Sequence, residues 1–247
     1  MFAFVDTETT GFAVGGVQPR IVSMAWIVAD CVDQPRAVRG AIVRPEGFTI
    51  PRDATRVHGI TTARARREGR PLPEVLAAFE ADLAGFGVRA LVAHNLAYDR
   101  PVIEAEYARL GRACPIAALE GLCTMHAARR ASPWESASLG AVHARLFGAA
   151  VADAHQAEAD VAACARIFFA LGPEAFAADR RPDPGALARD TAWVAAVRRW
   201  ACAHPEFDRA EFIESLHGWV AGGRVLTERQ REALARTAAR WRIALPG

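Results

Sequence analysis

Lysine is missing altogether: all 30 basic residues other than histidine are arginine. With abundant alanine, this reads as the product of a GC-rich coding sequence, so an arginine in place of a lysine carries no functional weight here. Cysteine is scarce and unpaired. Cys31, Cys114, Cys123, Cys164 and Cys202 are odd in number, dispersed and without Cys-x-x-Cys spacing. This argues against a disulfide framework and for reduced thiols in a cytoplasmic protein. Cys123 and His126 have a metal-like spacing, but no second pair accompanies them, and core packing is the simpler reading. No apolar run reaches the length of a membrane span and no secretory leader precedes the first strand, so no membrane association is expected. No charge dominates either. A net +2 gives no global field for polyanions, and any nucleic-acid binding must come from local patches. What remains is a 247-residue chain, 52% apolar and 23% charged, with the composition of a soluble globular protein. It is long enough for one large domain, or a medium domain plus a small one.

The stretch around which the chain is organised is Phe4-Val5-Asp6-Thr7-Glu8-Thr9-Thr10-Gly11. An apolar run, Met1 to Val5, leads into two carboxylates one residue apart. The side-chain period of a strand is two, so Asp6 and Glu8 point to the same face. Two carboxylates side by side near a core repel each other unless cations neutralise them. Hard divalent cations with oxygen ligands, Mg²⁺ or Mn²⁺, suit such a pair. A surface strand ending in a polar turn would look the same, so the other carboxylates decide.

Along the chain, residues 1–5, Arg20 to Ala29, and Gly40 to Arg44 read as strands of a meander. Pro45 to Arg70 reads as irregular, with a His58-Gly59-Ile60-Thr61 turn and an Arg-rich run (Arg64, Arg66, Arg67, Arg70) that could hold phosphates or simply be solvated. Pro73 opens a helix carrying Val75, Leu76, Phe79, Leu83 and Phe86. Leu91-Val92-Ala93 is a short buried strand, and Tyr98 to Leu110 a helix. Residues 119–130 are an apolar-to-basic segment, and Leu139 to Phe147 another helix. Val161, Cys164, Ala165, Ile167, Phe168 and Leu171 form the buried stripe of a further helix. Strands first, then helices alternating with a strand, fit a mixed α/β sheet flanked by helices.

Two more acidic motifs follow. His94-Asn95-Leu96-Ala97-Tyr98-Asp99 lies where the Leu91–Ala93 strand turns into a helix, the end of an α/β sheet where sites form. Asp99 is placed there to join Asp6 and Glu8, though a helix-start acid favoured by the dipole reads the same way. His155-Gln156-Ala157-Glu158-Ala159-Asp160 opens the later helix. Residues five apart sit roughly 140° from each other on a helix, so His155 and Asp160 cannot share a face. Asp160 on the helix and His155 in the preceding loop is the workable geometry, with a titratable ring reaching over the site. Asp153 and Glu158 are neighbouring acids that the sequence does not exclude.

Asp6-x-Glu8, His94-Asn95-x-x-x-Asp99 and His155-x-x-x-x-Asp160 together resemble the three motifs of the DEDD superfamily of 3′→5′ exonucleases, histidine subclass. Thr7-Glu8-Thr9-Thr10-Gly11 and Val57-His58-Gly59-Ile60-Thr61 are similar to family segments, and Leu122 to Arg130 resembles the exonuclease X segment. Tyr98 departs mildly from a common Phe. The resemblance covers residues 1–171 and implies a ribonuclease H-like α/β fold. It implies that Asp6, Glu8, Asp99 and Asp160 hold two Mg²⁺ or Mn²⁺ ions, about 3.5–4 Å apart in such sites, and that His155 takes a proton from the attacking water. Nucleoside 5′-monophosphates would leave a 3′ end one at a time. Thr9, Phe12, His58 and Asn95 are the expected substrate contacts, Phe12 by stacking on the terminal base. Phe12 as a core residue, His58 as a turn-stabilising residue and Asn95 as a structural residue are the competing readings. The expected substrate is single-stranded DNA or frayed 3′ ends, with RNA an alternative and a polymerase-associated proofreading role another.

The expected organisation is a ribonuclease H-like exonuclease domain over 1–172, a linker over 173–185 and a helical module over 186–247. In the module, Asp208 and Glu211 spell a capping box, and Phe207 and Phe212 a hydrophobic staple. Gly222-Gly223 stops that helix, and Thr227 caps the next one. A compact helical appendage is the default reading of these helices, and a module that binds a protein partner or nucleic acid is the sharper alternative.

Overall fold

The computed structural model describes residues 1–152, 154–176, 184–223, 225–226 and 228–246. Two compact units divide the chain, Met1–Arg180 and Arg181–Gly247. The first is built on a five-stranded sheet in the order β3-β2-β1-β4-β5. Its strands are β1 (Phe2–Thr9), β2 (Ile21–Ala29), β3 (Ala37–Ile42), β4 (Ala90–Ala93) and β5 (Glu120–Cys123). β1 runs antiparallel to β2 and parallel to β4, so the sheet is mixed. The third strand therefore lies earlier than the Gly40–Arg44 expected. The 119–130 segment divides into β5 and a helix.

β2 is buried at all nine positions, which requires cover on both faces. On one face, Ala3, Val5, Trp26 and Val28 pack against Leu76 and Phe79 of α3 (Leu72–Gly85) and Ile103 and Tyr107 of α4 (Leu96–Arg109). On the other, Phe4, Ala25 and Ile27 pack against Val161, Cys164 and Phe168 of α7 (Ala157–Leu171). The parity of β1 thus assigns its even residues to α7 and its odd residues to α3 and α4.

Residues 45–70 are not irregular as expected. They form α1 (Arg52–His58) and α2 (Thr62–Glu68). Gly59, at φ 72°, ends α1, and the Thr61 hydroxyl caps α2 by accepting from the Arg64 N–H. Val22, Ile50, Ala54, Ile60 and Ala65 form the core under this pair. After β5 come α5 (Thr124–Ala131) and α6 (Leu139–Phe147), the latter with the expected bounds.

The second unit holds α8 (Pro184–Cys202), α9 (Ala210–Ala221) and α10 (Glu228–Arg240) around Val194, Val197, Ile213, Leu216, Val220 and Leu234. Asp190, fully buried, accepts from Arg231 Nε and Nη2 (3.0 Å each) and from the Leu226 N–H (2.9 Å). The expected capping box is not formed: Arg209 stands at the cap with no side-chain bond, and Asp208 instead pairs with Arg240 at 3.4 Å. Phe207 and Phe212 do share the core. Asp153, most of the expected linker and the Thr227 cap lie outside the described residues. Among the described residues, no helix is long and apolar enough to cross a membrane.

Phe79 is wholly buried, 5.4 Å from the Trp26 ring. Phe79→Ala is expected to lower unfolding free energy by about 3–5 kcal/mol. Urea denaturation followed by circular dichroism measures this, and a loss below about 1 kcal/mol would contradict the packing described.

Candidate active site

β1 outruns its parallel neighbour. Its pairing with β4 covers Phe2–Phe4 against Ala90–Val92, and β4 ends at Ala93, where α4 begins its turn. Beyond that point the β1 edge facing β4 is open, and Asp99 from the first turn of α4 occupies it. Asp99 Oδ1 accepts from the Thr7 N–H (3.0 Å) and from the Thr7 hydroxyl (2.8 Å). The carboxylate takes the place of the missing strand partner, as a buried backbone donor requires.

Asp6 and Glu8 lie on the α7 face, as period-two alternation predicts. Asp160, in the first turn of α7, arrives from that side. One oxygen from each of Asp6, Glu8 and Asp160 lies within 4.8 Å of the others. Asp99 stands outside this trio but is coupled to it by charge. The crowding has an electrostatic signature. Burial, followed by the Asp99, Asp160 and Glu8 charges, holds the Asp6 carboxyl well above the usual range. Burial, then Asp160 and Asp99, pushes Glu8 from the ordinary 4.5 to about 8. Burial raises Asp99 to about 7 against the opposing Thr7 bonds. Asp160 is also raised by burial, partly offset by the His155 N–H and the nearby imidazole.

A divalent cation fits this donor set. The ligands are all carboxylate oxygens, the choice of hard ions such as Mg²⁺ and Mn²⁺. Asp160 Oδ1 is buried without a hydrogen-bond partner, so it has a lone pair to give. Carboxylates held this far above their normal range gain most from a positive charge among them.

The other expected site residues fall as follows. His155 sits in the turn before α7 at φ 67°, its ring exposed and its N–H donating to Asp160 Oδ2 (3.1 Å). Phe12 is 84% exposed, with its ring edge-on to Tyr98 at 6.0 Å, so it is not a core residue. The Thr9 hydroxyl is buried against the Gly11 carbonyl (2.8 Å) and the Tyr98 hydroxyl, and it shapes the turn that presents Phe12. His58 is buried; its Nδ1 accepts from the Ile60 N–H (3.1 Å), while Nε2 has no well-formed partner. Burial lowers its pKa, and the Thr9 carbonyl partly opposes that. Asn95 is exposed in the left-handed region (φ 115°), turning β4 into α4. Arg64 and Arg67 of the basic run both pair with Glu68 (2.8 and 2.6 Å) and Arg70 with Glu74 (3.6 Å).

Three supporting residues have roles that the sequence did not assign. Thr7 fixes Asp99, and its signal was its odd position between the two acids. The Tyr98 hydroxyl donates to the Gly11 carbonyl (2.6 Å). His94 ties the site end of β4 to Thr124 Oγ1 and the Ala137 carbonyl, at 2.8 Å each. Glu158 lies where a Cβ on Gly40 would stand, and its charge also acts on Asp6.

A carboxyl raised on folding binds more protons in the native state, so its contribution is present at low pH and lost as pH rises through the folded value. For Glu8 that window runs from 4.5 to about 8. Metal-free protein is therefore expected to lose thermal stability across this range. Mg²⁺ should restore it at pH 8, and Glu8→Gln should flatten the profile. Differential scanning calorimetry in chelator checks this; a profile that rises through the same window would contradict it.

A family model described as Exonuclease matches residues 3–168. Three-prime repair exonuclease 1 of Bos taurus is 37% identical over 130 residues, 44% of this chain and 39% of the relative, so the chain matches well under half of that protein's length. Three prime repair exonuclease 2 of Homo sapiens is 31% identical over 207 residues, 71% of this chain and 85% of the relative. Among solved structures, exonuclease I has a similar fold, with a TM-score of 0.58 at 22% identity over 71% of this chain and 42% of that one. Exonuclease X, solved with 5′-overhanging duplex DNA, aligns at 26% identity over 68% of this chain and 89% of that chain, with a TM-score of 0.49. By the family model over residues 3–168 and the 31% identical relative, together with the acidic geometry of β1, α4 and α7, the chain belongs to the exonuclease family, as a member of the DEDD group of 3′→5′ exonucleases.

Proposed function

We propose that this chain is a divalent-metal-dependent 3′→5′ exonuclease that releases nucleoside 5′-monophosphates from single-stranded or frayed 3′ ends of DNA. The observation that carries the reading is the convergence of Asp6, Glu8 and Asp160 oxygens within 4.8 Å beside the buried Asp99. The relatives' names, three-prime repair exonucleases, support a 3′ end as the point of attack, and repair as the task favours DNA as the polymer.

In this reading Asp6, Glu8 and Asp160 hold Mg²⁺ or Mn²⁺, with Asp99 completing the set. When bound, the cations supply Lewis acidity and neutralise charge on the phosphate, worth several kcal/mol. The remaining work falls to the chain. Thr7 fixes the Asp99 carboxylate. His155, exposed and tethered to Asp160 through its backbone, takes the proton of the attacking water. Phe12, projecting into solvent from the Gly11 turn, stacks on the terminal base, which must be unpaired to reach it. His58 and Asn95 flank that nucleotide, and Thr9 acts through the Phe12 turn.

With a 3′-labelled single strand and Mg²⁺, Asp6→Ala and Asp160→Ala are expected to lower kcat/KM at least about 1,000-fold with the circular dichroism spectrum unchanged. His155→Ala is expected to cost about 100- to 10,000-fold. Phe12→Ala should raise KM roughly 10- to 100-fold with a smaller change in kcat. Full activity in either aspartate variant, or in excess chelator, would remove the reading.

A further inference from the structure

We infer that the second unit carries a phosphodiester-binding pocket for single-stranded nucleic acid, built from Arg209, Arg236, Arg240 and Trp241. A cavity of about 260 Å³ is lined by these four with Ala233 and Thr237. It lies between the start of α9 and the last turns of α10, within the second unit alone.

The wall is made of donors. Three guanidinium groups bring only N–H bonds and positive charge. Arg209 makes no ion pair among the described residues. Arg236 and Arg240 each meet a carboxylate, Glu232 and Asp208, at 3.4 Å, but these partners are half exposed or more, and such pairs are weak. The indole N–H of Trp241 is buried with no acceptor among the described residues. The Thr237 hydroxyl proton is spent on the Ala233 carbonyl (2.8 Å), so the positive character of the wall comes from the arginines. α9 opens beside Arg209 with no side-chain cap, so its first N–H groups add to the same positive end. Arginines lining one cavity suit an acceptor-rich anion, and the guanidinium fork matches phosphate oxygens.

The choice of a nucleic-acid strand as that anion rests on the exonuclease reading. Two features favour it. The Trp241 ring lies beside the cations, with the Arg240 guanidinium 5.8 Å from its centroid, and aromatic groups among arginines suit stacked bases. Residues 181–247 carry eleven Arg against eight acids, whereas residues 1–180 carry nineteen Arg against twenty, so the excess positive charge lies in the unit with the pocket.

The test uses the full chain in chelator, so that a fluorescent strand of about 20 nucleotides binds without being cut. In the triple variant Arg209→Gln, Arg236→Gln, Arg240→Gln, strand affinity is expected to fall about 10- to 100-fold, and the slope of log K against log salt to become shallower by about 2. With Mg²⁺ restored, hydrolysis of the p-nitrophenyl ester of thymidine 5′-monophosphate, which fills only the catalytic site, should be unchanged. If the triple variant does not fold, each single Arg→Gln change should still reduce the slope by about 0.7. Unchanged affinity and slope in all of these overturns the inference. An acidic peptide of equal charge that binds the wild type more tightly than the strand, and loses that affinity in the variants, overturns it in favour of a protein partner. If the protein cleaves nothing, the exonuclease reading fails while the binding data still judge this pocket.

Discussion

Like charges held close together in a partly dry place are the constraint on which this structure turns. Asp6, Glu8 and Asp160 approach within a few ångströms, and Asp99 adds its charge from the open edge of the strand. Such a cluster is unfavourable as four anions, and the raised carboxyl groups record that cost. Two things relieve it: protons, which neutralise the site, and hard cations, which make it useful. The fold holds the acids in place regardless, because each is fixed by an element whose stability is decided elsewhere. The nine buried residues of β2, the aromatic packing of Phe2, Phe4 and Phe168, and the α3 core around Phe79 anchor the sheet and helices that carry the acids.

The strand does more than carry two ligands. Its alternation separates the site into two jobs. Even residues meet α7 and supply charge. Odd residues meet α4 and supply hydroxyls: Thr7 to Asp99, Thr9 to Tyr98 and the Gly11 turn. Because β4 is only four residues long, α4 starts where β1 still has open edge, and that stagger lets Asp99 reach the site. A longer β4 would pair with Thr7 and exclude the carboxylate.

Much of this was legible in the sequence. Period two alone put Asp6 and Glu8 on one face, and the angular spacing of helix residues separated His155 from Asp160. The strand-end position of Asp99 already pointed it toward Asp6 and Glu8; the resemblance chose between that reading and a helix-start acid, and it tied Asp160 to the same site. The misses have physical reasons. α1 and α2 are seven residues each, too short to stand on propensity, and they exist because Val22, Ile50 and Ile60 bury them. β5 is four residues with a glycine, and pairing with β4 makes it a strand. The Asp208 box failed because α9 starts one residue later, with Arg209 at the cap, and the Asp208 carboxylate meets Arg240 instead. Phe12 stood between a base-stacking and a core reading, because apolar character is the same in both, and the fold decides by leaving it in solvent.

The central claim is that the crowded carboxylates exchange protons for metal. Calorimetric titration of Mn²⁺ into metal-free protein at pH 7, repeated in buffers of different ionisation enthalpy, tests it most directly. The account predicts saturable binding with net release of protons, lost when Asp6 or Asp160 is changed to Asn. Binding without proton release, or no binding that depends on these two residues, would contradict it.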